Sequence, residues 1–469
     1  MRIVVAWVFL KGASSRQSIF NHQHRLRPLA VKSMSTNKSN GSVEESTIRL
    51  MTRLAQQFDA VNLSQGFPNE PPPLATRIRL AMAVLKGQTL DDNEDPISQL
   101  LTKMLDQQPP SAVDTLNQYS PPMGRQDLRQ AVSQYYHRYY NYTVDPETQI
   151  TITLGATEAF ATALRTVGKP GDKVVILEPF HELYASQCRI FYLEPTFVTL
   201  RENLDSNSWE LDFDQLDHAL KDATILVLNN PHNPTGKVFT QAELSKIVKL
   251  CIKHKVVIIT DDIYEHMTYQ GDYILLPAAF QEIADQVLVC NSIGKSASAT
   301  GWRVGWCLHP PQLVGTYRAI HDQLVVMSPH PMQYATIDYL LKDCQPAEIK
   351  TRYQDRLATL AAALEEVGFR VPLVQGAYYL FVNYLGVNQL QNLSPMDAAM
   401  YMLKNVGVAC VPGDNFYGST NIPERGQYLR FAACRSVSDV QEACRRIRTV
   451  LGKSQENFAQ HDRVNQAVT

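Results

Sequence analysis

The sequence predicts an α/β protein: a mostly parallel central sheet covered by helices, with a smaller α+β domain beside it. Three observations predict it. Four short, β-branched apolar runs, "KVVILEP", "TILVLNNP", "VVIITDD" and "VLVCNSI", recur at intervals of helix length. Strands of a parallel sheet read as continuous apolar runs because helices cover both faces. Amphipathic stretches such as residues 241–255 fill the intervals, giving the alternation of strand and helix expected of that class. From about Cys344 the pattern changes to a long helix over 347–367, then to shorter strands and helices, which marks the smaller domain. With 469 residues the chain is too long for one hydrophobic core, and no internal repeat divides it.

Residues 1–43 contain no Asp or Glu, while Arg2, Lys11, Arg16, Arg25, Arg27, Lys32 and Lys38 are basic. An acid-free, Arg-rich leader reads as an organelle presequence. A mitochondrial address is the expectation, with a plastid as the alternative, and initiation at Met34 would give a cytoplasmic form. A secretory reading of the apolar run Ile3–Leu10 is weaker, because basic residues follow it. Ser42 and Glu45 read as a capping box, with Ile48, Met51, Leu54 and Phe58 forming one helical stripe after it. Residues 86–117 are polar and proline-bearing and read as an insertion or mobile loop. The tail after Lys453 is polar.

Bulk properties exclude several classes. A net charge of -2 gives no general case for a nucleic-acid or anionic-membrane partner. No apolar run is long enough to cross a bilayer. The eight cysteines are scattered without a C-x-x-C pair, so they read as buried thiols in a reducing compartment, and no metal site is expected.

The unusual residues cluster just after each apolar run: "EPFHELY", "NPHNPTGK", "DDIYE" and "SIGKSASATGWRVGW". Open α/β sheets bind ligands beyond the carboxyl ends of their strands, so the four clusters should converge. Gly294-Lys295-Ser296 is not a phosphate-binding P-loop, since Val289 occupies the position of its first glycine. Lys295 instead suits a Schiff base with an aldehyde, as in pyridoxal phosphate enzymes. Asp261 would stabilise the protonated ring nitrogen. Two opposite charges about 4 Å apart gain roughly 4 kcal/mol at an effective dielectric near 20. Tyr264 and Asn233 would flank the ring hydroxyl oxygen. Arg303, the Ser292 hydroxyl and the backbone N–H groups of Gly155, Ala156 and Thr157 would hold the phosphate, the last three at the start of a helix. Taken singly, Asp261 as a helix cap, Asn233 as a turn residue and Gly155 as a C-cap are ordinary. All of them after strands and in one order are not.

The chain resembles the class I, fold type I pyridoxal phosphate aminotransferases, in the branch of kynurenine, glutamine and methionine aminotransferases. The resemblance rests on "LSQGFPNEP", "NQYSPPMGRQDLR", "TLGATEAF", "EPFHELY", "NNPHNPTGKVF", "DDIYE", "SIGKSASATGWRVGW", "GAYYLFV", "VPGDNFYG" and "YLRFAACR", which span Asn62 to Arg435. It implies that Lys295 carries the cofactor and moves the substrate Cα proton. It also implies that Arg430 binds the substrate α-carboxylate with Gly66 and Asn233, and that Tyr119 reaches the phosphate of a neighbouring subunit in a homodimer. His181 stands where the family has an aromatic ring stacked on the cofactor, and Asp262 where it commonly has Glu. The expected division is a leader (1–43), an N-terminal segment of the small domain (44–75), a large cofactor-binding domain (76–343), a C-terminal small domain (344–453) and a tail (454–469).

The expected activity is transfer of an amino group from an α-amino acid to a 2-oxo acid. One carboxylate-binding arginine stands in family position, and Phe67, Tyr184 and Tyr378 would line the pocket. That combination points to neutral, aromatic or sulfur-containing amino acids such as kynurenine, glutamine or methionine. A carbon–sulfur β-lyase on the same scaffold is the alternative. A pyridoxal phosphate-binding regulator would need a DNA-binding module, and the leader is too short for one.

Overall fold

The apolar runs fold as strands where the sequence places them. In chain order the strands are β1 (Val61–Asn62), β2 (Ile150–Thr153), β3 (Lys173–Glu178), β4 (Glu194–Asn203), β5 (Ser208–Leu211), β6 (Ala223–Asn229) and β7 (Val257–Asp261), followed by β8 (Val287–Ser292), β9 (Gly305–Leu308), β10 (Tyr379–Asn383), β11 (Val408–Ala409), β12 (Val411–Pro412) and β13 (Tyr428–Ala432). These come from a computed structural model that describes residues 47–68, 70–85, 116, 118–420 and 423–452. The expectations for the leader, for the cap at Ser42, for residues 86–115 and 117, and for the tail lie outside the described residues.

Eight strands form one sheet in the order β2-β9-β8-β7-β6-β3-β4-β5. The pairs β8/β7, β7/β6, β6/β3 and β3/β4 are parallel, whereas β9 runs against β2 and β8, and β5 against β4. Both faces are covered, as the continuous apolar runs require. Val175 and Leu177 of β3 join the cluster that holds Leu128, Val132 and Leu244, while Val174 and Ile176 join a second one with Phe160, Leu164 and Cys188. The intervals are helices for local reasons. In Gln241–His254, Thr240 and Glu243 close a capping box, and Leu244, Ile247, Val248 and Cys251 are the buried stripe. Such a cap contributes about 1 kcal/mol.

The long helix expected at 347–367 is Pro346–Glu365. It packs with Val437–Leu451 against the three-stranded sheet β10-β13-β12, in a third cluster. Met51, Ala55 and Leu63 from the N-terminal segment are buried in that same cluster, and β1 pairs with β11. All eight cysteines are free and buried. No helix among the described residues is long and apolar enough to cross a membrane, and no group there has metal-binding composition.

Candidate active site

The polar clusters stand at the carboxyl ends of β3, β6, β7 and β8, on one edge of the large sheet. At the end of β8, the Ser292 hydroxyl accepts from the Gly294 N–H at 3.3 Å and starts the short helix Ile293–Ser296. Lys295 lies on that turn. Its Nζ donates to the Gly66 carbonyl at 2.6 Å, and the Tyr378 hydroxyl donates to the same oxygen at 3.0 Å. Burial holds the Lys295 amine down to about 8, with Cys434 and Asp261 opposing that shift. Lys295 is therefore far closer to neutral near pH 7 than a surface lysine, as a nucleophile and proton carrier needs.

Asp261 closes β7. Tyr184 donates its hydroxyl to Oδ2 at 2.6 Å, so this tyrosine holds a carboxylate, a role beyond the pocket lining expected of it. The other oxygen, Oδ1, is buried without a partner. Burial pushes the Asp261 carboxyl up to about 6, against the Tyr184 bond and the Lys295 charge. Asn229, the last residue of β6, donates to the Asp261 carbonyl at 2.7 Å and accepts from the Asn233 N–H at 2.7 Å. One side chain thus joins two strand ends and sets the Asn233 turn. The Tyr264 and Tyr379 hydroxyls meet at 3.0 Å.

Gly155, Ala156 and Thr157 open the helix Ala156–Val167. The first N–H groups of a helix have no earlier turn to donate to. Gly155 has φ +76°, and a Cβ there would stand 2.5 Å from Arg303 Nη2, so only glycine leaves the corner open. Arg303 donates to the carbonyls of Thr300 at 3.0 Å and Leu154 at 3.1 Å, and among the described residues no acidic side chain pairs with it. The corner is positive and unneutralised.

Arg430, on β13, is 1% exposed. It donates to Asn233 Oδ1 at 3.0 Å and to the Ser64 carbonyl at 2.9 Å, and its Nε has no partner. The guanidinium lies 4.4 Å from the Tyr379 ring centre and 4.8 Å from that of Phe416. No acidic side chain among the described residues pairs with it. A buried cation without a counter-ion is costly, so this arrangement suits an anionic ligand. Gly66 meets Lys295 through its carbonyl, and a Cβ at Gly66 would overlap the Tyr379 hydroxyl. His181 accepts from the Leu183 N–H through Nδ1 at 3.3 Å. Burial first, then the charges of Arg430 and Lys295, push its imidazole down to about 3, so it is a neutral ring. Tyr119 is not drawn into this cluster and is 79% exposed. Tyr379 of "GAYYLFV" and Phe416 of "VPGDNFYG", whose rings lie against Arg430, carry no sequence signal that separates them from ordinary core aromatics.

The arrangement defines a site for a small anionic cofactor that carries an aldehyde, beside a second anion pocket. The comparisons agree. The chain matches the family described as aminotransferase class I and II over residues 81–447, and it belongs to that family. It is 28% identical over 455 residues to a kynurenine–oxoglutarate transaminase of Dictyostelium discoideum, covering 90% of this chain and 98% of the relative. The solved N-succinyldiaminopimelate aminotransferase of Mycobacterium tuberculosis superposes with a TM-score of 0.77 at 28% identity, covering 86% of this chain and 97% of that one. A solved Escherichia coli protein with a methionine aminotransferase function gives 0.76 at 26% identity, covering 87% and 98%.

The chain is therefore an aminotransferase that uses pyridoxal phosphate. The residues present fit that group: Asp261 keeps a free buried oxygen for a protonated ring nitrogen, and the Gly155 corner with Arg303 keeps room and charge for a phosphate.

Proposed function

We propose that the protein transfers the amino group of a neutral, aromatic or sulfur-containing L-amino acid to a 2-oxo acid. The observation that carries this is Arg430, a buried guanidinium against two aromatic rings with no acidic partner among the described residues. It would take the α-carboxylate, with Asn233 fixing the fork. The surroundings of Lys295 supply aromatic surface for the side chain, Tyr378 above all. Two relatives, a kynurenine–oxoglutarate transaminase and a protein with a methionine aminotransferase function, support the same substrate class.

When bound, pyridoxal phosphate withdraws electrons from the substrate Cα so that its proton becomes acidic. The residues do the rest. Lys295 would hold the cofactor and, once displaced by the substrate amine, would carry the Cα proton on Nζ and release it again, which its depressed pKa permits near neutral pH. Asp261 would keep the ring nitrogen protonated, and because Tyr184 occupies Oδ2, Oδ1 is the oxygen left for it. Tyr264 and Asn233 would donate to the ring hydroxyl oxygen. Ser292, Arg303 and the N–H groups of Gly155, Ala156 and Thr157 would hold the phosphate. His181 offers a neutral flat face. These contacts preorganise charge where the reaction develops it.

A homodimer is part of the proposal: the exposed Tyr119 would complete a neighbouring subunit's phosphate site. So is a two-domain division near residues 75 and 343, supported by the separate cluster on β10, β12 and β13. The leader is proposed as a mitochondrial address, which a fluorescent fusion to residues 1–45 tests by its location. The activity is tested with a panel of amino donors against several 2-oxo acids. Turnover is expected for glutamine, methionine and kynurenine. Turnover confined to aspartate or to an amine without an α-carboxylate would contradict the reading.

A further inference from the structure

Two of the stretches that stand out in the sequence, "EPFHELY" and "VPGDNFYG", meet in the fold. Glu178, which closes β3 and opens the first stretch, is wholly buried, with no cation among the described residues paired to it. Its Oε1 accepts from the Thr199 hydroxyl at 3.1 Å, across the β3/β4 pair. Its Oε2 accepts from two consecutive backbone N–H groups, those of Gly418 at 2.8 Å and Ser419 at 3.1 Å. A buried carboxylate is tolerated only where such donors replace its water. Two of these three donors come from the loop between β12 and β13, far along the chain.

Two further bonds join the same segments. The Phe180 N–H donates to the Phe416 carbonyl at 2.7 Å, and the Asn415 side-chain amide donates to Glu182 at 3.1 Å. The fit is close as well. A Cβ at Gly418 would overlap the Phe197 ring, which stacks on Phe180 at 5.2 Å between ring centres.

What these bonds flank is the site. Phe416, in the gripped loop, is fully buried, and its ring centre lies 4.8 Å from the Arg430 guanidinium. His181, in the gripping segment, is the ring that burial, then the charges of Arg430 and Lys295, keep neutral. Arg430 is fixed by its strand and by its bonds to Asn233 and the Ser64 carbonyl. Phe416 instead reaches it from a loop, and Glu178 takes the backbone N–H groups just after that ring. A carboxylate gains more from a guanidinium where apolar rings keep water away, because the effective dielectric falls. The seat of Phe416 therefore bears on substrate affinity, although Glu178 touches no substrate.

We propose that Glu178 is a positioning residue for the substrate α-carboxylate: it grips the loop 415–419 by its backbone and so seats Phe416 against Arg430. This rests on the reading of Arg430 as the α-carboxylate partner. The consequence is a selective loss. Ligands that carry the carboxylate should weaken when the grip is removed, and ligands without it should not.

The test uses the cofactor-loaded enzyme and two probes that share one side chain, with dissociation constants measured by calorimetry. The first, 4-methylthiobutanoate, has the carboxylate and no amine. The second, 3-methylthiopropylamine, has the amine and no carboxylate. Glu178→Met keeps the side-chain length and removes both acceptor oxygens. It should weaken the carboxylate probe about tenfold, the order of one hydrogen bond, and leave the amine probe within about twofold. Glu178→Gln keeps one acceptor oxygen for Gly418 and Ser419, without the charge that strengthens such bonds, so it should lose about threefold on the carboxylate probe alone. If Glu178→Met does not fold, Glu178→Gln decides by the same measure. Unchanged affinity for the carboxylate probe in a folded variant, or equal losses for both probes, overturns the proposal. Failure of the Arg430 reading looks different: Arg430→Ala would then bind 4-methylthiobutanoate as tightly as the wild type does, and the proposal would fall with it.

Discussion

Two neighbouring carboxylates at the end of β7 are held on opposite terms. Asp262 accepts the hydroxyls of Thr260 at 2.9 Å and Tyr273 at 2.6 Å. Close by, Glu265 accepts from Tyr135 at 2.5 Å, Tyr140 at 2.5 Å and Asn291 at 2.7 Å, while Asn291 and Trp306 both donate to Tyr136. Both oxygens of Glu265 are in use, and the network is closed. Asp261, one residue before Asp262, keeps Oδ1 buried and empty-handed, and Arg430 keeps Nε in the same condition. A buried polar group left unmatched is expensive. A satisfied network stiffens the fold, whereas an unsatisfied one keeps bonds in reserve for a ligand. The same stretch, "DDIYE", therefore holds both kinds of residue, and sequence position does not separate them.

Substitutions on the two sides should behave differently. The largest effect is expected at Arg430. Arg430→Ala should lower kcat/KM for every amino acid about 30-fold to several-thousand-fold while keeping the cofactor's visible absorbance, and Arg430→Lys should recover part of it. An amine lacking the carboxylate should react equally slowly with both. On the closed side, Glu265→Ala strands Tyr135, Tyr140 and Asn291. It should cost about 2–4 kcal/mol of stability in a denaturant titration. A large loss of affinity for amino acids with stability intact would place Glu265 on the ligand side instead.

Asp261→Asn sharpens the contrast with a smaller effect of opposite sign. Removing a charge that burial disfavours should stabilise the cofactor-free protein by about 1–3 kcal/mol near pH 7 and weaken cofactor retention. A shift in the pH profile of the cofactor-free protein, with no substitution at all, sharpens the same contrast. With Lys295 lowered to about 8 from 10.5, the folded state binds fewer protons than the unfolded state between those values, so stability should rise with pH across that window. Asp261, raised to about 6 from 3.8, makes the folded state bind more protons between those values, so stability should fall as pH rises through them. Thermal melts of Lys295→Met should lose the alkaline rise and keep the acidic fall.

The large sheet and its ligand edge were legible because parallel strands must be apolar throughout, so polar residues after each run stand out. Lys295, Asp261, Tyr264, Asn233, Ser292, Arg303 and the Gly155 turn could be read in that way, and the structure brings them to one edge. Arg430 and Gly66 were reached through the resemblance, because the elements that carry them lie outside the large sheet. The pairing of Tyr184 with Asp261 and of Arg356 with Glu70 had no sequence signal. Each joins segments distant in the chain, and a tyrosine or arginine on an amphipathic helix reads as packing or surface until its partner is known.

Among the lysines near the strand ends, Lys295 is the one expected to carry the cofactor. Lys237 of "NPHNPTGK" is the natural competitor: it is also buried, but it is already paired with Glu243 at 2.7 Å and lies over the Phe239 ring. Reduction of the cofactor-loaded enzyme with borohydride fixes the cofactor to its lysine, and peptide mass mapping then finds it. A pyridoxyl group is expected on Lys295 at one per chain, and none on Lys237. A label on Lys237, or a loaded enzyme whose Lys295 peptide stays unmodified, would contradict it.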